Sequence, residues 1–181
     1  FTPDGREPGD YDLVVSALVP YKRIELILDA YRDGGRRLKV VGGGPEAAVL
    51  RARAGRATEF LGPVDDVALR ELYRGCRALV MASVEDFGIV PLEAMACGRP
   101  AVVFAEGGGR ETVLPGQTGV LFHEPKAEAL RAAVDSLEGL RFNTTALRAH
   151  AEAYSRPVFE ARFRAFVDEA QGGPTSDSTP W

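Results

Sequence analysis

The chain is short of several things that would place it at once. Among 181 residues there are two cysteines, two histidines and three lysines. Cys76 ends a helical segment and Cys97 sits in the stretch AMACG, so both read as small reduced core residues, in keeping with a cytoplasmic setting. His123 and His150 have no partner at metal-ligand spacing, and no metal site is expected. No apolar run nears the ~20 residues of a membrane span, and no signal-peptide pattern is visible. Excess basic charge is missing too. The net charge is −4 and the pI about 5.3, which excludes the broad basic face of a nucleic-acid binder. There is no G-x-S-x-G elbow, and neither cysteine has an activating base nearby, which removes two kinds of nucleophilic catalysis. Asp86-Phe87-Gly88 spells a kinase magnesium motif, but the catalytic-loop and lysine-strand signatures are missing.

What is present fits one α/β domain. Hydrophobic residues make up 45% of the chain and charged residues 27%, an ordinary soluble balance. A chain of this length buries roughly 70% of its unfolded surface. Short apolar runs at 12–18, 37–42, 57–62, 78–83, 100–105 and 118–122 alternate with helical patterns. The helices are expected at 22–34, after Pro45, at 67–76 with Asp65 or Asp66 as cap, from about Pro91, around 110–114, and at 126–137. Continuous apolar strands separated by helices indicate a parallel sheet covered on both faces, here doubly wound and Rossmann-like with about six strands. Residues 144–170 read as helix broken near Ser155–Pro157. Residues 1–11 read as a linker remnant, 12–170 as the domain, and 171–181 as a disordered tail.

The chemistry concentrates between Glu85 and Glu111, in EDFGIVPLEAMACGRPAVVFAEGGGRE. Glu85 follows a central strand, and Glu93 falls eight positions on, near the start of the next helix. Gly107, Gly108 and Gly109 follow the next strand and open another helix. In an open α/β sheet, ligands bind outside the carboxyl ends of the strands, so all of these face one crevice. Carboxylates accept hydrogen bonds from sugar and ribose hydroxyls, and a glycine-opened helix start seats phosphate. The blander alternatives are a helix-start acid at Glu93, a solvated loop acid at Glu85 and a plain flexible turn at the glycines. The run Gly42–Gly44 lacks the dinucleotide fingerprint. It reads as a tight strand-to-helix turn lining the pocket, ahead of a direct phosphate contact. Lys22 and Arg23 follow the first strand. Of the two, Lys22 is the better cation for the crevice, because Arg23 faces about 100° away if both lie on one helix.

These elements resemble the C-terminal, donor-binding half of a retaining glycosyltransferase of the GT-B fold, in glycosyltransferase family four. The residues that carry the likeness run in family order: SALVPYKRIELILDAY, VVGGGPE, EFLGPV, LRELYRGCRALVMAS, EDFGIVPLEAMACGRPAVV, GGGRETV and GQTGVLF. They cover about 12–170. LVPYKR beside EDFGIVPLE is most similar to bacterial mannosyltransferase-like members. The resemblance implies that Glu85 and Lys22 form the catalytic pair, Glu85 meeting the donor sugar and Lys22 the diphosphate. It implies that Glu93 holds the ribose, that Gly88, Ile89, Val90, Gly107, Gly108 and Gly109 offer amides to the diphosphate, and that Gly43 and Val64 border the pocket and base. The donor would be a GDP- or UDP-linked sugar and the acceptor a glycan or lipid, with no cofactor required. Peripheral contact with the inner membrane face, in the full-length enzyme, is part of the same expectation.

Two departures stand out. Many members carry an arginine five positions before the lysine; here that position is Ala17, with Arg23 or Arg110 as candidate substitutes. The acceptor-binding N-terminal half is missing, so the fragment is expected to bind nucleotide without transferring sugar, to self-associate through its bared surface, and to use the helix around 159–170 against the absent half. A non-catalytic nucleotide- or sugar-binding module and a sugar-nucleotide epimerase are the alternatives. A glycan phosphorylase would need a cofactor lysine, and only Lys22 is placed for one.

Overall fold

A computed structural model describes residues 1–172. The expected disordered tail lies outside the described residues from 173 onward, and its first two residues complete a helix. Six strands form one parallel sheet: β1 (Tyr11–Val15), β2 (Arg37–Val41), β3 (Thr58–Gly62), β4 (Leu79–Met81), β5 (Ala101–Phe104) and β6 (Gly119–Phe122). Their order is β3-β2-β1-β4-β5-β6, with every pairing parallel. The chain winds outward from β1 to β3, then returns to the middle and winds the other way from β4. The reversal point therefore lies between β1 and β4, where adjacent crossovers diverge and leave a crevice.

Alternate residues of the strands feed two cores. Val14, Val40, Val80 and Val102 pack on one face with Ile24, Ile27 and Leu28 of α1 (Ile24–Tyr31) and Leu130 and Val134 of α6 (Ala127–Ser136). Leu13, Val41, Leu79 and Val103 pack on the other face with Tyr73 of α3 (Asp66–Gly75), Leu92 and Met95 of α4 (Ile89–Ala96), and Leu147 of α7 (Thr144–Glu152). With both faces covered, strand residues of either parity are apolar, which is why the runs read as continuous. The remaining helices are α2 (Ala47–Arg53), α5 (Gly108–Thr112) and α8 (Arg156–Gly172).

One carboxylate is sunk into this frame. Asp12 of β1 is 1% exposed, yet it accepts three hydrogen bonds. Tyr31 Oη donates to it at 2.6 Å, and the Arg77 fork donates from Nε at 2.9 Å and Nη2 at 2.6 Å. The network ties β1 to α1 and to the turn entering β4. Burial in turn pushes the Tyr31 hydroxyl well above its ordinary pKa.

The expected elements all form, with local differences. The first helix begins at Ile24, not 22. Pro20–Lys22 is a 3-10 turn, and Arg23 follows in the left-handed region at φ 53°. Pro45 sits in a turn rather than at the first helical position, and α2 starts two residues later, after Glu46. Asp65 is the acid that caps α3, accepting from Ala68 N at 2.8 Å. The break near Ser155 separates α7 from α8. Along α8, Phe159, Phe163 and Phe166 are 63%, 54% and 66% exposed.

Candidate functional site

A cleft of about 290 Å³ opens at the reversal point, over the ends of β1 and β4. Lys22, Glu85, Gly88, Ile89 and Val90 line it together, although 63 positions separate the first two. Lys22 Nζ donates to Glu85 Oε1 at 2.6 Å, with side chains only 17% and 22% exposed. The Ser83 hydroxyl donates to the same oxygen. The Lys22 ammonium also lies 5.0 Å from the centroid of the exposed Tyr21 ring. A lysine and a hydroxyl thus hold one carboxylate oxygen, leaving Oε2 of Glu85 as a ready acceptor. The 3-10 turn explains the reach of Lys22: the left-handed Arg23 lets the chain turn into α1 after the lysine has been presented to the cleft.

The glycines after β5 are joined to the Glu85 loop through main chain. Glu85 and Gly107 form a parallel bridge, and Gly108 N donates to Glu85 O at 2.6 Å. A Cβ on Gly108 would lie 2.3 Å from both the carbonyl carbon and oxygen of Phe87, so no side chain fits there without displacing backbone. Gly88 caps α4 in the left-handed region at φ 82°. The starts of α4 and α5 therefore meet at one place behind the Glu85 loop, where the Gly108 amide is already spent on Glu85 O. The Thr112 hydroxyl closes the short helix α5 by donating to Gly108 O at 2.8 Å.

Six expected residues lie outside this cleft's lining: Gly107, Gly108 and Gly109, which stand behind the Glu85 loop, and Gly43, Val64 and Glu93. Gly43 accepts from Leu18 N at 2.9 Å and faces Pro63, on the β2–β3 side. Its neighbours Gly42 and Gly44 press against main chain at Ser16 and Leu18, the geometry of a tight turn. Val64 is partly buried against the second core. Glu93 lies on α4 facing α3, where its Oε2 accepts from Tyr73 Oη at 2.8 Å. Burial raises the Glu93 pKa, and the Tyr73 bond pulls it back in part. Of the candidate substitutes for an arginine at position 17, neither lines the cleft. Arg23 stacks over the Phe104 ring at 5.0 Å, and Arg110 is exposed on α5. Ala17 itself is exposed after β1.

Sequence reasoning missed Ser83 and Tyr73. Ser83 had a signal, since a hydroxyl two positions before a strand-end acid can reach it. Tyr73 had none beyond the apolar face of α3, because its partner is 20 positions away.

An open, doubly wound parallel sheet with a cleft at its reversal point is a Rossmann-like architecture, and this one is half of a GT-B fold. Residues 6–156 match the family model described as glycosyl transferases group 1, and the chain belongs to that family. It is 35% identical over 153 residues to a GDP-mannose-dependent alpha-(1-6)-phosphatidylinositol monomannoside mannosyltransferase of Mycolicibacterium smegmatis, covering 71% of this chain and 39% of that protein. It is 38% identical over 133 residues to a D-inositol 3-phosphate glycosyltransferase of Frankia alni, covering 62% of this chain and 33% of the relative. Among solved structures, the apo lipopolysaccharide outer core galactosyltransferase WaaB superposes with a TM-score of 0.81 at 18% identity, over 93% of this chain and 52% of WaaB. The Anabaena protein HepE, solved with UDP-glucose, gives 0.68 at 24% identity, over 90% of this chain and 48% of HepE. The chain thus spans well under half the length of these two relatives. Among the described residues no helix is long and apolar enough to cross a membrane.

Proposed function

We propose that this chain is the donor-binding half of a retaining hexosyltransferase that uses a nucleotide diphosphate sugar. The observation that carries the reading is the Lys22–Glu85 pair set against the joined starts of α4 and α5 at the sheet's reversal point. A diphosphate seated there would meet Lys22 and the amides of Gly88–Val90, with Gly107 and Gly109 next to them and the helix start of α4 adding favourable charge. As it arrives, it competes with Glu85 for the lysine and frees the carboxylate for the sugar hydroxyls. Glu93 would accept from the ribose hydroxyls. In the reaction, the bond between the sugar's anomeric carbon and the diphosphate oxygen breaks. The acceptor hydroxyl bonds to that carbon on the same face, and its proton passes to the departing diphosphate. The protein's part is electrostatic: it holds the developing negative charge and the cationic sugar in a fixed arrangement.

GDP-mannose is the donor we favour, on the mannosyltransferase-like LVPYKR segment and on the likeness to a GDP-mannose-dependent relative. UDP-glucose, the donor bound by HepE, is the competing choice. The acceptor is a glycan or lipid met jointly with an N-terminal half, so the isolated chain binds donor without transferring sugar.

A thermal-shift titration with GDP, UDP, ADP and GDP-mannose tests the reading. A ligand at a hundred times its dissociation constant stabilises by about 2.7 kcal/mol, or roughly 5–11 °C for a domain of this size. A shift selective for one base supports donor binding and names the base. No shift with any of the four nucleotides sinks it, and a non-catalytic module, which the alanine at position 17 favours, takes its place.

Two variants sharpen the assignment. Ala17→Arg should restore a second cation at the open lip of the cleft. One charge-assisted hydrogen bond contributes about 1.5–3 kcal/mol, so nucleoside diphosphate should bind roughly 10- to 100-fold tighter by calorimetry. An unchanged dissociation constant would remove the diphosphate from this lip. Tyr73→Phe keeps the ring and deletes the bond to Glu93. Without that bond the Glu93 pKa rises further, so the carboxylate neutralises at higher pH as the solution is acidified. Nucleotide affinity should then fall off earlier on acidification than in the parent, as followed by titration across the mildly acidic range. Identical pH profiles would show that Glu93 does not touch the ligand as a carboxylate.

A further inference from the structure

A second cleft, larger at about 520 Å³, opens at the other end of the sheet. It lies beneath the entries to β4 and β5, with the segment 3–8 as one wall and the connection between α6 and α7 as the other. The length of β4 separates it from the Lys22–Glu85 pair. Its polar lining is dominated by guanidinium groups whose bonding is incomplete.

Arg99 is only 5% exposed. Its Nε donates to Arg74 O at 2.9 Å, and Nη2 donates to Arg74 O at 2.6 Å and Arg6 O at 2.7 Å. That caps the end of α3 and fastens the segment 3–8, and it leaves Nη1 with no acceptor among the described residues. Arg77 commits Nε and Nη2 to Asp12, and its Nη1 is likewise without an acceptor. Arg141, on the facing loop, makes no hydrogen bond or ion pair among the described residues. Structural duty accounts for part of the first two and none of the third. The acids of the same cleft are mostly engaged: Asp4 pairs with Arg6, and Glu138 with Arg36. Among the described residues Glu7 alone of these acids is uncommitted, against open edges on Arg77, Arg99 and Arg141.

We propose that this cleft is a second ligand site that takes a small phosphomonoester, its phosphate seated on Arg77, Arg99 and Arg141. A guanidinium presents N–H groups in a planar fork that matches phosphate oxygens. A phosphomonoester carries a charge between about −1.5 and −2 at neutral pH with three acceptor oxygens, enough to satisfy all three edges. The volume is that of an ordinary small-molecule pocket, with room for a sugar-sized body beyond the phosphate. A singly charged carboxylate would leave a cation unmatched. Because Arg6, Arg77 and Arg99 also anchor the segment 3–8 and the entries to β4 and β5, an occupied site would stiffen the floor of the domain away from the donor cleft.

The test is calorimetric titration of the full chain with inorganic phosphate and with a hexose 6-phosphate, at ionic strength held constant with chloride. The parent should bind both saturably, the hexose phosphate more tightly. Arg141→Glu touches no structural bond and should weaken both by roughly tenfold or more. If its melting temperature shows a folding defect, Arg141→Gln replaces it. Lys22→Ala removes the cation of the first cleft, so saturable binding that survives in this variant belongs to the second. No saturable binding by the parent overturns the proposal, and so does unchanged binding in the Arg141 variants. Binding lost in Lys22→Ala overturns it equally, because the phosphate would then sit in the donor cleft.

Discussion

Asp12→Ala is expected to lower the melting temperature by roughly 6–12 °C, the equivalent of about 3 kcal/mol in a domain of this size. The carboxylate is 1% exposed and is the common acceptor for Tyr31 Oη and the Arg77 fork. Removing it leaves the Tyr31 hydroxyl buried without its acceptor and Arg77 without its counter-ion. Breaking a fully buried pair by deleting one partner costs about 3–5 kcal/mol, and Arg77, at 24% exposure, can recover part of its hydration. The lower end is therefore the fitting figure. Calorimetric unfolding reads the effect directly. Nucleotide affinity should stay within a factor of about two, because Asp12 sits near the N-terminal end of β1 and the Lys22–Glu85 cleft at the other. A change in melting temperature under about 2 °C would mean that the network is water-linked and not structural.

Asp12 also shows what the sequence could reveal and what it could not. The apolar run after it marked β1, and the alternation of six such runs with helices was enough to expect a doubly wound sheet. The pairing of Asp12 with residues 19 and 65 positions away was not legible, because no local pattern encodes it. The same holds within the site. Glu85 and the glycines at 107–109 were legible because each follows a strand, and strand ends in a parallel sheet share one edge. The turn that delivers Lys22 was hidden. A left-handed arginine at position 23 carries no compositional mark, whereas glycine or asparagine would have signalled a break in the helix. Tyr73 was concealed because a buried aromatic on α3 looks the same whether or not its hydroxyl has a partner.

Gly108→Ala should damage the site more than any side-chain deletion in it. The added Cβ would sit 2.3 Å from two main-chain atoms of Phe87, and neither can swing aside as a side chain could. Overpacking of this kind costs about 1–3 kcal/mol, or roughly 2–12 °C in melting temperature. The functional loss should be larger than the stability loss. The Glu85–Gly88 loop must move away from α5 to admit the methyl group, which parts the two sets of amides proposed to hold the diphosphate. A misplacement of about 1 Å at such a site costs on the order of 100-fold, which is the expected loss in nucleotide affinity by titration. Gly139→Ala serves as the control: a Cβ there meets nothing within 4 Å, so both properties should stay near parental values. Parental nucleotide affinity in Gly108→Ala would mean that ligand does not lie across the junction of α4 and α5.

The main-chain junction between the Glu85 loop and the start of α5 bears on how donor preference could be redesigned. Backbone carbonyls, amides and missing side chains hold this half of the cleft together, so its shape depends on very few residue identities. The exposed Tyr21 and Ile89 beside the cleft carry side chains that the junction does not need. A combinatorial library confined to those positions, with 107–109 left untouched, could therefore exchange one base or sugar for another while the scaffold stays folded.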